Sequence, residues 1–297
     1  MSAQRLLYKD QTSRTYGIYT GPGVYDTIMT TDPLSPLSTA FIRHVQDKLR
    51  EDRKDMLSRI RDHAHKGADE ETIQILIDGT TIQIMKRIET AALLYVDQIY
   101  IRSLNRIIGD ISQVIPGIPA YITKEDREKI ISEVSYLMSL VQGSLSDRNE
   151  SIRKIILFDK QGISGRINEA NNEITRRWMP KVEKAIRIGM MHAWNAAAWS
   201  RIKEYSSGKR WVSGPSSEVP DHPEMDGIII PVNSLFKVPD FHPGGDKRRK
   251  PVPGCEMLYP GDVSQAPDPH HLAGCWCRIE AAELPEKPVS EELQPAE

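Results

Sequence analysis

A chain of 297 residues with 39% hydrophobic and 27% charged side chains can bury a large core and can hold more than one folding unit. The formal charge of −2 excludes a global electrostatic pull toward nucleic acid or an anionic membrane, so any such contact has to be local. Three cysteines, two of them one residue apart, fit a reducing compartment better than a secreted disulfide framework.

The opening stretch MSAQRLLYKD lacks the apolar core of a secretion signal. The most apolar region, IETAALLYVDQIYIRSLNRII, is interrupted by Glu89, Asp97, Arg102 and Arg106, too many charges for a bilayer span. A cytosolic product with no membrane segment is expected.

Residues 1–40, centred on TGPGVYDTIMTTDPLSPLSTA, mix Gly, Pro, Thr and Ser without a period and read as an extended arm that orders on a partner. From Phe41 the text changes. Ile42, Val45, Leu49, Met56 and Ile60 recur at helical intervals among charges and predict a first helix. A second helix is expected after Asp69, whose side chain caps free N–H groups while Glu70 and Glu71 meet the positive end of the dipole. Its apolar face is Met85, Ile88, Ala92, Tyr95, Val96 and Ile99, and VIPGIPAY stops it.

Thr123 followed by Asp126 is a capping signal for a third helix carried by Ile130, Val134, Leu137, Met138 and Val141. The polar run GSLSDRNES separates it from further helix. Ile167, Ala170, Ile174 and Trp178 define a short helix, Pro180 a break, and Val182, Ile186, Gly189, Met190, Ala193 and Ala197 a long helix ending near Gly208. Its small residues permit close packing. His192, beside Met191 and Trp194, reads as a buried, hydrogen-bonded histidine, with a catalytic base as the sharper alternative.

A helical domain thus covers 41–208. Past Lys209 the period disappears, and the short runs RWV and IIIPV are separated by turn formers, with Asp226-Gly227 as a tight-turn signal. A small β- and loop-rich domain is expected over 209–280, with DFHPGGDKRRKPVPG as an exposed excursion and 281–297 as an acidic, mobile tail. The fold class is α+β.

The stretch PDPHHLAGCWCRI concentrates the chemistry. In an extended segment Cys275 and Cys277 project to one side and Trp276 to the other, so two thiols offer half of a tetrahedral zinc site. Candidates for the other positions are His270 or His271 nearby and His222, Asp221 or Cys255 from earlier, four ligands at most. There is no second Cys-x-Cys pair, so such a site depends on long-range folding. Two other readings stand beside it: buried cysteines acting as small apolar residues with surface histidines, and a strained Cys275–Cys277 disulfide. The basic run Lys247, Arg248, Arg249, Lys250 is an ordinary solvated loop or a local contact to DNA phosphates.

The order of these residues resembles the C-terminal domain of the Mu F-like phage head morphogenesis proteins, minor head proteins of tailed bacteriophages. Trp211, His222, Asp226, Gly227, Phe236, Pro260, Gly261, Asp262, Cys275 and Cys277 follow that family's pattern in order. KAIRIGMMHAWNAAAWSRIKEYSSG is similar to its preceding helix, so the likeness covers the last third of the chain. Two departures are Gly274-Cys275-Trp276-Cys277 in place of the usual Asn-Cys-Arg-Cys, and an insert from Val238 to Met257.

The resemblance implies a structural minor capsid protein rather than an enzyme. It implies assembly in the host cytoplasm into the virion head, near the portal, with portal or major capsid proteins as partners. A metal-dependent nuclease or toxin-like hydrolase, with His222 and Asp221 activating water on a metal, is the competing class. Against it, the sequence has no second carboxylate pair at helical spacing near the cluster.

Overall fold

A computed structural model describes residues 35–112, 122–158, 162–214, 222–242, 247–248, 250–272 and 275–284. The arm as far as residue 34, the whole of VIPGIPAY and the tail from residue 285 lie outside the described residues. The first helix, α1 (Ser35–His65), starts inside the stretch assigned to the arm rather than at Phe41. Pro36 suits a first helical turn, where its missing N–H costs nothing, and Leu37 and Ser38 already face the core.

The capping signals work as written. For α2 (Glu70–Ser112), Asp69 Oδ1 accepts the Thr72 N–H at 2.8 Å, with Glu70 and Glu71 in the first turn. For α3 (Lys124–Phe158), the Asp126 N–H donates to Thr123 Oγ1 at 3.1 Å and the Thr123 N–H donates to Asp126 Oδ2 at 3.0 Å. The expected faces of α2 and α3 are buried or packed against the core.

Two expected interruptions are absent. Helix α3 runs straight through 143–151, because Leu145, Ile152 and Ile156 continue its apolar stripe and the polar Arg148 and Asn149 are buried between helices. Pro180 does not break the next helix either. Helix α4 (Ile163–Glu173) passes through a π turn (Ile174–Trp178) into α5 (Met179–Tyr205), and Pro180 falls in the first turn of α5, where it needs no N–H partner.

The helices enclose two apolar cores. The central one unites Phe41, Val45, Ile88, Val96, Leu137, Val141, Ile186 and Trp194 from α1, α2, α3 and α5. The distal one unites Met56, Ile60, Ile73, Ile77, Ile152, Ile167 and Ile174. A polar layer lies between them. Arg148 Nη2 donates to Thr81 Oγ1 at 2.8 Å and to Asn149 Oδ1 at 2.9 Å, Asn149 Nδ2 donates to Asp78 Oδ1 at 3.1 Å, and Arg87 Nη1 meets Asp52 Oδ1 at 2.9 Å. Burial pushes the Arg148 guanidinium down to about 10, against the pull of Asp52.

Among the described residues five strands follow: β1 (Gly208–Val212), β2 (Ile229–Pro231), β3 (Phe236–Val238), β4 (Cys255–Met257) and β5 (Arg278–Ala282). They form an antiparallel sheet in the order β2-β1-β5, with Trp211 opposite Ile279, and a separate β3-β4 ladder with Phe236 opposite Met257. A single turn of helix, α6 (Pro269–Leu272), precedes β5. Strand β5 continues past residue 280 into what the sequence assigns to the tail.

A third core joins these strands to the helices. Trp211, Phe236, Met257, Cys275, Cys277 and Ile279 pack with Ile107 and Ile111 of α2 and Ile188, Met191, Ala198 and Ile202 of α5. The predicted boundary at 208/209 is therefore a change of secondary structure inside a shared core. Among the described residues no helix is long and apolar enough to cross a membrane.

Candidate metal centre

Strand β1 sets the floor of the site. Trp211 is fully buried, with Phe236 edge-on at 5.1 Å and the His222 ring edge-on at 5.5 Å between centroids. The one-turn helix Pro223–Met225 follows His222, and Asp226 Oδ1 accepts the Ser213 N–H at 2.8 Å. The Gly227 N–H donates to Trp211 O at 2.9 Å, so the Asp-Gly signal locks His222 against β1.

The Cys-x-Cys segment comes from the other side. His222, Cys275 and Cys277 are all buried, and one ligand atom from each lies within 4.8 Å of the others. With Zn–S near 2.3 Å and Zn–N near 2.0 Å, the edges of a tetrahedral site are roughly 3.4–3.8 Å, so a modest contraction around an ion suffices. The Cys277 N–H donates to Cys275 Sγ at 3.5 Å. Hydrogen bonding with Cys275, then with His222 and the Gly214 N–H, outweighs burial and pushes the Cys277 thiol down to about 5. A thiolate beside a second thiol and an imidazole is the donor chemistry zinc takes.

Trp276 points the opposite way, as alternation predicts, and joins the central helical core with the Arg187 guanidinium 5.3 Å above its ring. Its backbone presses on Gly214, where a Cβ would lie 2.4 Å from Trp276 O, so only glycine fits. The Cys-Trp-Cys run thus ties two cores together, with the thiols in one and the indole in the other.

The two adjacent histidines part company. His270 is exposed, its Nδ1–H donating to Asp268 Oδ1 at 2.7 Å, and it is not part of the cluster. His271 is fully buried, and its Nε2–H donates to Pro253 O at 2.8 Å. Its ring lies 6.4 Å from that of His222 at 21° between planes, with Phe241 edge-on at 5.0 Å, so it adjoins the three-atom cluster without entering it. Cys255 is half-buried on β4 and also outside the cluster, all three cysteines are free thiols rather than a disulfide, and Asp221 lies outside the described residues.

His192 follows its plainer reading. It is buried, with Nδ1–H donating to Gly261 O at 2.8 Å and Nε2 3.2 Å from Glu133 Oε2. In the Pro-Gly-Asp segment, Asp262 Oδ2 accepts the Leu258 N–H at 2.8 Å and Oδ1 accepts the Ser264 N–H at 2.9 Å, which makes it a loop fastener. Lys247, Arg248 and Lys250 are exposed on the excursion between β3 and β4, and Arg249 lies outside the described residues.

Two supporting residues escape sequence reasoning. Asn195, fully buried on α5, donates through Nδ2 to Pro260 O at 2.9 Å and Cys277 O at 3.0 Å, and accepts the Ile279 N–H at 3.1 Å. Its one visible signal is a lone amide in the apolar stretch AWNAAAW. Lys209, also fully buried, donates to Leu258 O at 2.6 Å, and nothing local marks it. Comparison with protein-family models, curated proteins and solved structures finds no match to this chain.

Proposed function

We propose that this chain is a structural minor head protein of a tailed bacteriophage, of the Mu F-like type, built into the capsid next to the portal. Its C-terminal unit is held shut by a structural zinc ion on His222, Cys275 and Cys277. The observation that carries this reading is convergence. Trp211, His222, Phe236, Cys275 and Cys277, which carry the resemblance from distant points in the chain, meet in one buried knot, and Asp226 and Asp262 fasten the turns around it. A pattern of that kind needs all its members at once, and here they meet.

Burial of all three donors among the described residues favours a structural ion over a hydrolytic one, which needs an open coordination position that substrate can reach. On this reading the exposed Lys247, Arg248 and Lys250 supply local contact to packaged DNA, separate from the metal.

The test is to locate the labelled chain in assembled heads by electron cryomicroscopy. A few copies at the portal vertex are the expected result. Heads that assemble normally and contain none of the chain would remove the proposal. Salt-sensitive retention on DNA, lost when the three exposed basic residues are neutralised, is the separate check on the DNA contact.

A further inference from the structure

We infer that Glu133 and His192 share one buried proton, and that this proton is a pH-dependent latch holding the Pro-Gly-Asp loop (260–262) against α3 and α5. The inference is independent of any metal. Three elements meet at the pair: Glu133 stands on α3, His192 on α5, and the carbonyl of Gly261 on the loop that follows β4. The Glu133 and His192 side chains are 12% and 10% exposed, which is buried enough to penalise a lone charge yet open enough to exchange protons with solvent.

The argument is an account of hydrogens. Gly261 O can only accept, so the 2.8 Å bond puts a hydrogen on His192 Nδ1. A neutral ring then turns the lone pair of Nε2 toward Glu133 Oε2, 3.2 Å away, and an ionised carboxylate offers only lone pairs in return. Two acceptors at that distance, out of water, repel. One further proton removes the conflict, either on Nε2 as an imidazolium beside a carboxylate or on the carboxyl as a neutral acid beside a neutral ring. That Glu133 oxygen is buried and accepts no hydrogen bond from another described group. Burial also raises the Glu133 carboxyl above its ordinary value, against the pull of His192. When the proton leaves for solvent, the ring keeps a single hydrogen for two acceptors. The carboxylate is the stronger acceptor and draws that hydrogen to Nε2, so Nδ1 presents a lone pair to Gly261 O and the loop loses its tie to α5.

The surroundings leave the proton to this pair. From α3 the Tyr136 ring stands 4.7 Å from that of His192, and from the loop the Tyr259 ring stands 5.6 Å away. Burial pushes Tyr136 up to about 12 and Tyr259 higher still, so both phenols stay neutral. Tyr100 of α2, which also feels Glu133, is raised in the same way. Asp126 and Arg201 pair with each other, and Asp262 accepts the Leu258 and Ser264 N–H groups with the Lys209 ammonium of β1 acting on it. The loop is seated closely enough to register a change. A Cβ at Gly261, where φ is +85°, would stand 2.8 Å from the Met191 side chain, and besides the His192 bond the loop is tied to α5 by Asn195 Nδ2 on Pro260 O.

Nitrogen-15 NMR of the histidine-labelled full chain reads the ring directly, and amide hydrogen exchange reads the loop. The native His192 ring is expected to keep the shared proton beyond the ordinary histidine value of about 6.5 and then to lose it in one step, its remaining hydrogen moving from Nδ1 to Nε2. Across that step, protection of the Leu258, Asp262 and Ser264 amides, corrected for intrinsic exchange, should fall roughly tenfold or more. Above about 6.5 the folded pair holds a proton that the unfolded chain has released, so this contribution to stability is present below that value and lost as pH rises; the raised Glu133 carboxyl has the same sign. In Glu133→Gln the side-chain amide donates to Nε2, the ring keeps its hydrogen on Nδ1, and loop protection should stay flat over the same range. Lys209 and the cysteines are common to both chains, so their titration cancels in the comparison. A native ring that releases its proton at or below about 6.5, or loop protection that falls equally in the two chains, would overturn the latch. The native chain also decides alone: protection that stays flat while the ring titrates would overturn it without the variant.

Discussion

Asn195 is a single side chain on which three segments depend. Its amide joins α5 to Pro260, to the carbonyl of Cys277 and to the start of β5, all without access to water. Asn195→Ala leaves those buried groups unsatisfied and is expected to lower stability by about 3 kcal/mol, read from urea denaturation. Lys209 offers a second test. Burial pushes its ammonium down to about 8 from the ordinary 10.5, with Asp262 pulling the other way. Between those values the unfolded chain holds a proton that the folded chain lacks, so the penalty of the buried charge is full below about 8 and relieved as pH rises. The stability of the native chain relative to Lys209→Met should therefore increase from about pH 8 toward pH 10, as measured by denaturant midpoints. A flat difference would mean that the lysine is already neutral or reaches solvent.

At the level of elements, two glycines in helix interiors make opposite predictions. A Cβ at Gly189 would stand 2.9 Å from Leu137, so Gly189→Ala forces α5 and α3 apart and should cost about 1 kcal/mol net despite the gain in helix propensity. Gly79 on α2 has nothing within 4 Å, and Gly79→Ala should stabilise by about 0.5–1 kcal/mol in the same melts. The contrast shows what is readable from sequence. Stripes such as Ile130, Val134 and Leu137, and caps such as Asp69 and Thr123, depend on neighbours a turn away, so they appear in the text. The passage of α3 through 143–151 does not appear, since Arg148 and Asn149 look like surface residues until α2 supplies Thr81 and Asp78 as partners. The sorting of His270 from His271 was equally hidden, for it is decided by the hydrogen bonds of Asp268 and by the walls that Pro253 and Phe241 bring from elsewhere.

For the molecule as a whole, the shared third core has a direct consequence. Ending the chain at residue 208 would bare Ile107, Ile111, Ile188, Met191, Ala198 and Ile202 together, and would leave Trp276 missing from the central core. Such a truncation is expected to bind hydrophobic dyes and to unfold without a cooperative transition, rather than to behave as an independent helical domain. Full cooperativity in calorimetry would contradict that. The π turn at Ile174–Trp178 acts on the same scale, because its wider winding re-aims the helix between Ile174, which faces the distal core, and Val182, which faces the central one. Everything beyond that joint takes its rotational phase from the joint itself. A change in the length of the outer tip would therefore leave α5 presenting Met191 and Asn195 to the sheet as it does now, so the tip can be rebuilt without disturbing the knot at the other end of the body.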